Sequence, residues 1–255
     1  MKNIAVITGA SSGMGRRFAE TVFESGKKLD EVWIIARRLD KLEEIKTAFP
    51  TRAISLDLTG NEDLEKYRKL LEEERPNVLL LINASGFGKF RGTVDVPLEE
   101  NLGMVDLNCK ALMAMCQMTI PYMPADSNII NIASVAAFQP VPYINVYAAS
   151  KAFVLSYSRG LHCELRPKGI TVTAVCPFWT KTEFFNRAVD AGKDAIVKKY
   201  TAMYLPEQIV QRAWRDMVRG RQVSKFGFVA RGQAMLAKIL PHRFVMWYWM
   251  KQQKL

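Results

Sequence analysis

Six short runs of β-branched and apolar residues, Ile4–Thr8, Val32–Ala36, Ala53–Leu56, Val78–Asn83, Ile129–Ala133 and Ile170–Cys176, are separated by longer charged segments of helical period. A strand that is apolar on both faces must be covered on both, the situation of a strand inside a parallel sheet. Helices expected over 13–26, 40–49, 60–74, 99–120 and 147–166 supply the covers, and parallel neighbours joined through them require right-handed crossovers. The pattern predicts an α/β fold, a single doubly wound parallel sheet with helices on both faces. With 49% apolar and 24% charged residues in 255, the chain has the material for one such globular core.

The rhythm breaks after residue 177. A lid is expected over about 178–205, rich in aromatics from Phe184 to Tyr204, followed by a helix over Pro206–Arg219 and a short seventh strand near Gln222–Phe228. Loops and extra helices at the carboxyl ends of parallel strands build ligand sites in such sheets. Residues 1–228 thus read as one domain that includes the lid, and 229–255 as an amphipathic basic extension that Pro241 divides into two helical pieces. Between residues 206 and 255 there are ten basic and two acidic side chains, so most of the net charge of +11 lies there. In this extension Leu236, Leu240, Phe244 and Trp247 or Tyr248 recur at helical spacing, an apolar face too costly to leave in water. A second subunit or the body of the domain is the favoured cover, and peripheral contact with a membrane is the alternative. Nucleic acid fits the charge poorly, since no binding motif accompanies it.

Thr8-Gly9-Ala10-Ser11-Ser12-Gly13-Met14-Gly15 follows the first strand and opens the first helix. Such glycines let the backbone turn tightly and approach a pyrophosphate, which then rests on the amides of a helix N-terminus. About 20 residues further on, where an acid would grip the adenosine ribose of NAD, stand Arg37 and Arg38. A guanidinium there suits a 2′-phosphate, so Arg37, helped by Ser12 or Arg38, points to NADP(H).

Ser134 ends the fifth strand, and Tyr147-Ala148-Ala149-Ser150-Lys151 opens the helix after it. Residues at i and i+4 share a helix face, so the Lys151 ammonium is expected near the Tyr147 phenol, favouring its ionised form. A phenol that supplies a proton and a hydroxyl that holds the substrate oxygen suit hydride transfer to a carbonyl.

The glycine opening, Ser134, Tyr147 and Lys151, in this order, resemble the short-chain dehydrogenase/reductase superfamily in its compact form, over residues 1 to about 205. The resemblance implies a Rossmann fold and a small-molecule carbonyl or alcohol substrate. It makes Tyr147 the general acid, has Ser134 orient the carbonyl, places Lys151 on the nicotinamide ribose, and uses Asn108 to hold a water in the proton relay. It extends the cofactor contacts from Gly9, Ser11, Ser12, Gly13, Met14 and Gly15 to Arg37 and Arg38, then to Asp57 and Leu58 at the adenine. Asn83, Ala84 and Ser85, Tyr147 and Lys151, and Pro177, Phe178, Thr180 and Thr182 complete them. Two departures stand out: Pro177-Phe178 replaces a Pro-Gly, and Asn83-Ala84-Ser85-Gly86 replaces an Asn-Asn-Ala-Gly. The helices holding Asn108 and Tyr147 resemble those of the family's four-helix contact, which implies a homodimer or homotetramer.

Apolar residues at Phe138, Pro140, Val141, Pro142 and Tyr143, and at Phe178, Trp179, Phe184, Phe185, Tyr200, Met203 and Tyr204, are expected to wall a pocket for a hydrophobic molecule such as a steroid, bile acid or acyl chain. Two other readings compete, a non-catalytic NADP-binding or sensing protein and a nucleotide-sugar epimerase or dehydratase; the filled relay argues against the first and the short C-terminal region against the second. His162 and His242 lack a matching cluster, so no metal site is expected. Cys109, Cys116, Cys163 and Cys176 lack paired spacing and are expected as small core residues in a reducing compartment, which, with an N-terminal apolar run too short for a signal sequence, reads as cytoplasmic.

Overall fold

The computed structural model describes residues 1–189, 196–197 and 199–255. Among them, strands β1 (Asn3–Thr8), β2 (Glu31–Ala36), β3 (Thr51–Ser55), β4 (Asn77–Asn83), β5 (Asn128–Ile132), β6 (Thr171–Val175) and β7 (Val223–Ser224) form one sheet in the order 3-2-1-4-5-6-7. Every neighbouring pair is parallel. The chain steps outward from β1 to β3 and then returns to place β4 on the other side of β1. That reversal opens a crevice at the carboxyl ends of β1 and β4.

Alternation along the strands fills two cores. Ile4, Val6, Trp33 and Ile35 face α3 (Asn61–Glu74), α5 (Leu112–Thr119) and α6 (Asn145–Leu165), where Tyr67, Met115 and Val154 are buried against them. Ala5, Ile7, Val32 and Ile34 face the opposite layer of α1 (Gly13–Glu20), α2 (Leu39–Glu43) and α8 (Pro206–Val218). There Phe18 and Trp214 meet edge to face at 5.1 Å, and the Trp214 indole donates to the Thr21 hydroxyl at 3.0 Å.

Four elements differ from their sequence pattern, the first being the helix expected over 13–26, which is α1 to Glu20 followed by a 3-10 turn over Val22–Ser25. The helix expected over 40–49 stops at Glu43, because Pro50 disfavours helical backbone before it and the Thr47 hydroxyl bonds the Phe49 amide and carbonyl instead. The helix expected over 99–120 is α4 (Leu98–Val105), a π-helical turn over Asp106–Ala111 and then α5. The seventh strand is two residues long, since the chain turns at Gly227 into α9 (Phe228–Ile239). Cys109, Cys116 and Cys176 are buried as expected, whereas Cys163 on α6 is exposed.

Pro241 does divide the extension, capping α10 (His242–Gln253). The face that docks on this chain is not the expected one. α9 seats through Ala230, Ala234 and Ala237, and α10 through the Trp249 indole, which donates to the Pro142 carbonyl at 3.0 Å, and the buried Gln253. Leu236, Phe244 and Trp247 remain about half exposed. Small side chains allow the close helix approach, and the large ones are left outward. No helix among the described residues is long and apolar enough to cross a membrane.

Replacing Trp214 with alanine empties the centre of one helical layer and strips the Thr21 hydroxyl of its donor. A loss of about 3–5 kcal/mol is expected in urea or thermal unfolding; a change below about 1 kcal/mol would show that α8 is not held by this contact.

Candidate active site

A cleft of about 1190 Å³ runs along the carboxyl edge of the sheet. At one end lies the turn from β1 into α1. Gly9 has φ +67°, and a Cβ on it would stand 2.7 Å from the Ala84 carbonyl carbon, so only glycine permits the two strand ends to approach this closely. α1 begins at Gly13 with no side-chain cap on its first amides, although Ser12 holds the capping position. Free amides at the positive end of a helix dipole suit a phosphate.

Ser11, Ser12, Met14 and Gly15 border the cleft with Arg37, Arg38 and Leu58. Arg37 lies 3.8 Å from Asp57 in an exposed pair. Burial pushes the Asp57 carboxyl up, but hydrogen bonds from Thr59 and the Arg37 charge more than offset it, leaving it below the usual carboxylate range. Arg38 bonds the Ser11 hydroxyl at 3.2 Å and Glu183 at 3.1 Å. Thr182 lies over Gly13, which brings the segment after β6 across the start of α1. The Tyr204 amide donates to Trp179 and its carbonyl accepts from Lys181, both at 2.9 Å, so the ends of the lid are tied together. Residues 190–195 and 198 of the lid lie outside the described residues.

The middle of the cleft holds Ser134, Tyr147 and Lys151. Ser134 leaves the end of β5 in extended backbone and accepts from the Ala136 amide at 3.1 Å, which fixes its hydroxyl at the start of a 3-10 turn. Lys151 is 4% exposed; its ammonium donates to the Ile132 carbonyl at 2.7 Å and sits 5.7 Å from the centre of the Tyr147 ring. The charge therefore lies beneath the ring, bonded to the strand end. Burial raises the phenol to about 12, with the Ser134 hydroxyl opposing through hydrogen bonding, and burial lowers the Lys151 ammonium to about 8. The expected lowering of the phenol by lysine is thus reversed. Desolvation of the phenolate outweighs the hydrogen bond with Ser134, and Tyr147 stands in the cleft protonated.

Asn108 lies in the π-helical turn, fully buried and outside the cleft wall. It donates to the Phe87 carbonyl and the Ser150 hydroxyl, each at 2.9 Å, and accepts from the Phe87 amide at 3.1 Å. Ser150 in turn donates to the Tyr147 carbonyl at 2.8 Å. A π turn adds one residue to the helix and re-aims a side chain; here it points the Asn108 amide at the loop after β4. A Cβ on Gly86 would stand 2.8 Å from the Asn108 oxygen and 3.3 Å from the Lys151 nitrogen. Asn83 also turns away from the cleft, donating to Asn131 at 2.9 Å between β4 and β5, while Ala84 and Ser85 line it. Both asparagines position the walls around the reacting groups.

The far end is apolar. Phe90 is the centre of a group of rings, 5.7 Å from Trp179, 6.0 Å from Phe184 and 6.2 Å from Phe185, and Tyr147 lies 5.4 Å from Phe184. Val141, Pro177, Phe178 and Thr180 share this lining. Phe138 instead packs between Arg159 and Lys225, Tyr200 packs behind Trp179, and Pro140, Pro142 and Tyr143 border a separate small depression. Sequence reasoning missed Phe87, Phe90, Gln139, Ser150 and Arg187, as well as the part played by α9 and α10, which contribute Leu236, Leu240, Phe244 and Tyr248 to the wall. Arg187 lies 3.5 Å over the centre of the Phe87 ring, and burial, with the charge of Arg37, holds its pKa below the ordinary guanidinium value. The loop that follows Asn83-Ala84-Ser85-Gly86 was the available signal for Phe87 and Phe90.

A family model described as short chain dehydrogenase matches residues 3–192. The very-long-chain 3-oxoacyl-CoA reductase of Anas platyrhynchos is 33% identical over 190 residues, 70% of this chain and 60% of that one. Among solved structures, a short-chain dehydrogenase from Sphingobium yanoikuyae in complex with NADPH superposes with a TM-score of 0.78 at 29% identity, covering 93% of each chain. The bulky-bulky ketone specific alcohol dehydrogenase from Comamonas testosteroni superposes with a TM-score of 0.74 at 27% identity, covering 94% of this chain and 92% of that one. The chain belongs to the short-chain dehydrogenase family and is an oxidoreductase of that class.

The Lys151 shift sets a pH dependence. A lysine lowered to about 8 is charged below that pH and neutral above it. Turnover in the direction that consumes a proton is expected to be level at lower pH and to fall by about tenfold per unit beyond it. A profile flat from about pH 7 to about pH 10 would contradict the assignment.

Proposed function

We propose that the protein is an NADP(H)-dependent reductase that moves a hydride between the nicotinamide and a carbonyl or secondary alcohol on a hydrophobic substrate, such as a steroid, bile acid or acyl compound. The observation that carries this reading is the protonated Tyr147 phenol, placed between Ser134 and Lys151 where the phosphate-binding end of the cleft meets its aromatic end. The bound nicotinamide supplies the hydride. Ser134 and Tyr147 hold the carbonyl oxygen, and Tyr147 gives its proton to that oxygen as the carbon is reduced. Lys151, charged below about pH 8, stabilises the resulting phenolate and returns a proton to it. In the reverse direction Tyr147 takes the alcohol proton.

For the cofactor, Gly9 and the first turn of α1 would cradle the pyrophosphate, and Arg37 and Arg38 would meet the 2′-phosphate. The end of β2 offers no acid to repel it. The Arg37 pair with Asp57 is exposed and long, so a phosphate, with its higher charge and bidentate fit, displaces the carboxylate. The NADPH complex of the Sphingobium relative supports this choice. The bulky ketone named for the Comamonas relative and the very long acyl chain named for the Anas relative support an apolar substrate. In the same reading the chain forms a homodimer or homotetramer through α4 to α6, where Leu102, Val105, Met113 and Phe153 are exposed.

Oxidation of NADPH followed by absorbance against steroid, acyl and bulky aromatic ketones tests the assignment. Tyr147→Phe keeps the ring packing and removes the proton, so turnover is expected to fall by at least about two orders of magnitude with NADPH binding retained. Turnover close to that of the unaltered protein would end this mechanism. Arg37→Ala is expected to weaken NADPH by about tenfold or more while barely changing NADH; equal losses for the two cofactors would remove Arg37 from phosphate recognition.

A further inference from the structure

We propose that α9 and α10 form a docking surface for an anionic lipid bilayer. The two helices attach through alanines, Trp249 and Gln253, and turn their large apolar side chains outward. Phe228, Met235 and Ile239 of α9 are 90%, 63% and 68% exposed, and Phe244, Trp247 and Tyr248 of α10 are about half exposed. Basic residues interleave with them on the same faces: Arg231 and Lys238 on the first helix, Arg243 and Lys251 on the second. The Lys251 ammonium lies 5.0 Å from the centre of the Trp247 ring, which packs 5.6 Å from Phe244. Aromatic rings beside long cationic side chains, with the charge held at the edge of an apolar surface, match the boundary between lipid headgroups and acyl chains.

Charge decides the occupant. Between residues 217 and 255 there are eight lysines and arginines and no aspartate or glutamate. A second copy docking symmetrically through this face would set the same acid-free surface against itself, bringing like charges together. An anionic membrane offers the complementary sign over the whole face. Leu236, Leu240, Phe244 and Tyr248 also line the cleft, so the docked protein would hold the apolar end of its cleft at the lipid surface. That consequence, delivery of the substrate from the bilayer, rests on the function proposed above; the docking itself does not.

Co-sedimentation of the full chain, without cofactor or substrate, separates the two. The expected result is binding to vesicles of phosphatidylcholine mixed with phosphatidylglycerol, at least about tenfold weaker binding to phosphatidylcholine alone, and weakening with salt. The combined Met235→Gln, Ile239→Gln and Trp247→Gln variant, at exposed positions outside the cleft wall, is expected to lose at least about tenfold in vesicle binding with an unchanged Tm. A second variant, Lys238→Gln, Arg243→Gln and Lys251→Gln, keeps the apolar surface, is expected to show the same loss, and decides the matter if the first fails to fold. Equal binding to both vesicle types, or none to either, overturns the proposal. So does a light-scattering mass that falls in the first variant, which would assign the face to a second copy.

Discussion

The site depends on how closely the loop after β4 can lie against α6 and the π-helical turn. Gly86 brings backbone to within a Cβ's width of both the Asn108 amide oxygen and the Lys151 ammonium. Asn108 then bonds both backbone groups of Phe87 and the hydroxyl of Ser150, which holds the Tyr147 carbonyl. Two elements far apart in the chain are thereby joined by fully buried hydrogen bonds, whose loss would leave polar groups unpaired. Phe87 and Phe90 leave this junction to line the cleft, Phe90 at its aromatic end, so the same fixed loop holds the Tyr147 backbone and shapes the apolar wall.

Burial also sets the protonation states. An exposed tyrosine beside lysine would ionise more readily; at the floor of this cleft, desolvation raises the phenol and lowers the ammonium. Burial thus drives the two groups apart in proton affinity, and the phenol is the one that keeps its proton. Because Lys151 bonds the Ile132 carbonyl at the end of β5, its charge is tied to the same strand end from which Ser134 emerges.

Much of this was legible in the chain. Short continuous runs of apolar and β-branched residues marked β1 to β6, since a strand covered on both faces must be apolar on both. The helix opened by Tyr147 and Lys151 and the glycine turn after β1 could be placed from spacing. The shortened α2 was not legible, because its residues carry helical charge patterning while Thr47 and Pro50 impose a different backbone. The π turn left no mark in periodicity, for a single inserted residue changes which way Asn108 points without changing composition. Cys163 looked like its three buried counterparts and is exposed because it falls on the outer face of α6.

The sequence by itself determined the layered sheet, the glycine turn after β1 and the serine, tyrosine and lysine constellation, because local spacing and hydrophobic pattern act over a few residues and admit few arrangements. Tertiary structure alone decided what lies around them. It set Arg37 against Asp57 and Arg38 against Ser11 and Glu183, turned Asn83 between two strands, and raised the Tyr147 phenol by burial. It also chose the alanines of α9 over its larger residues as the face that docks, since close helix packing rewards the side chains that fit the gap and leaves those that do not at the surface.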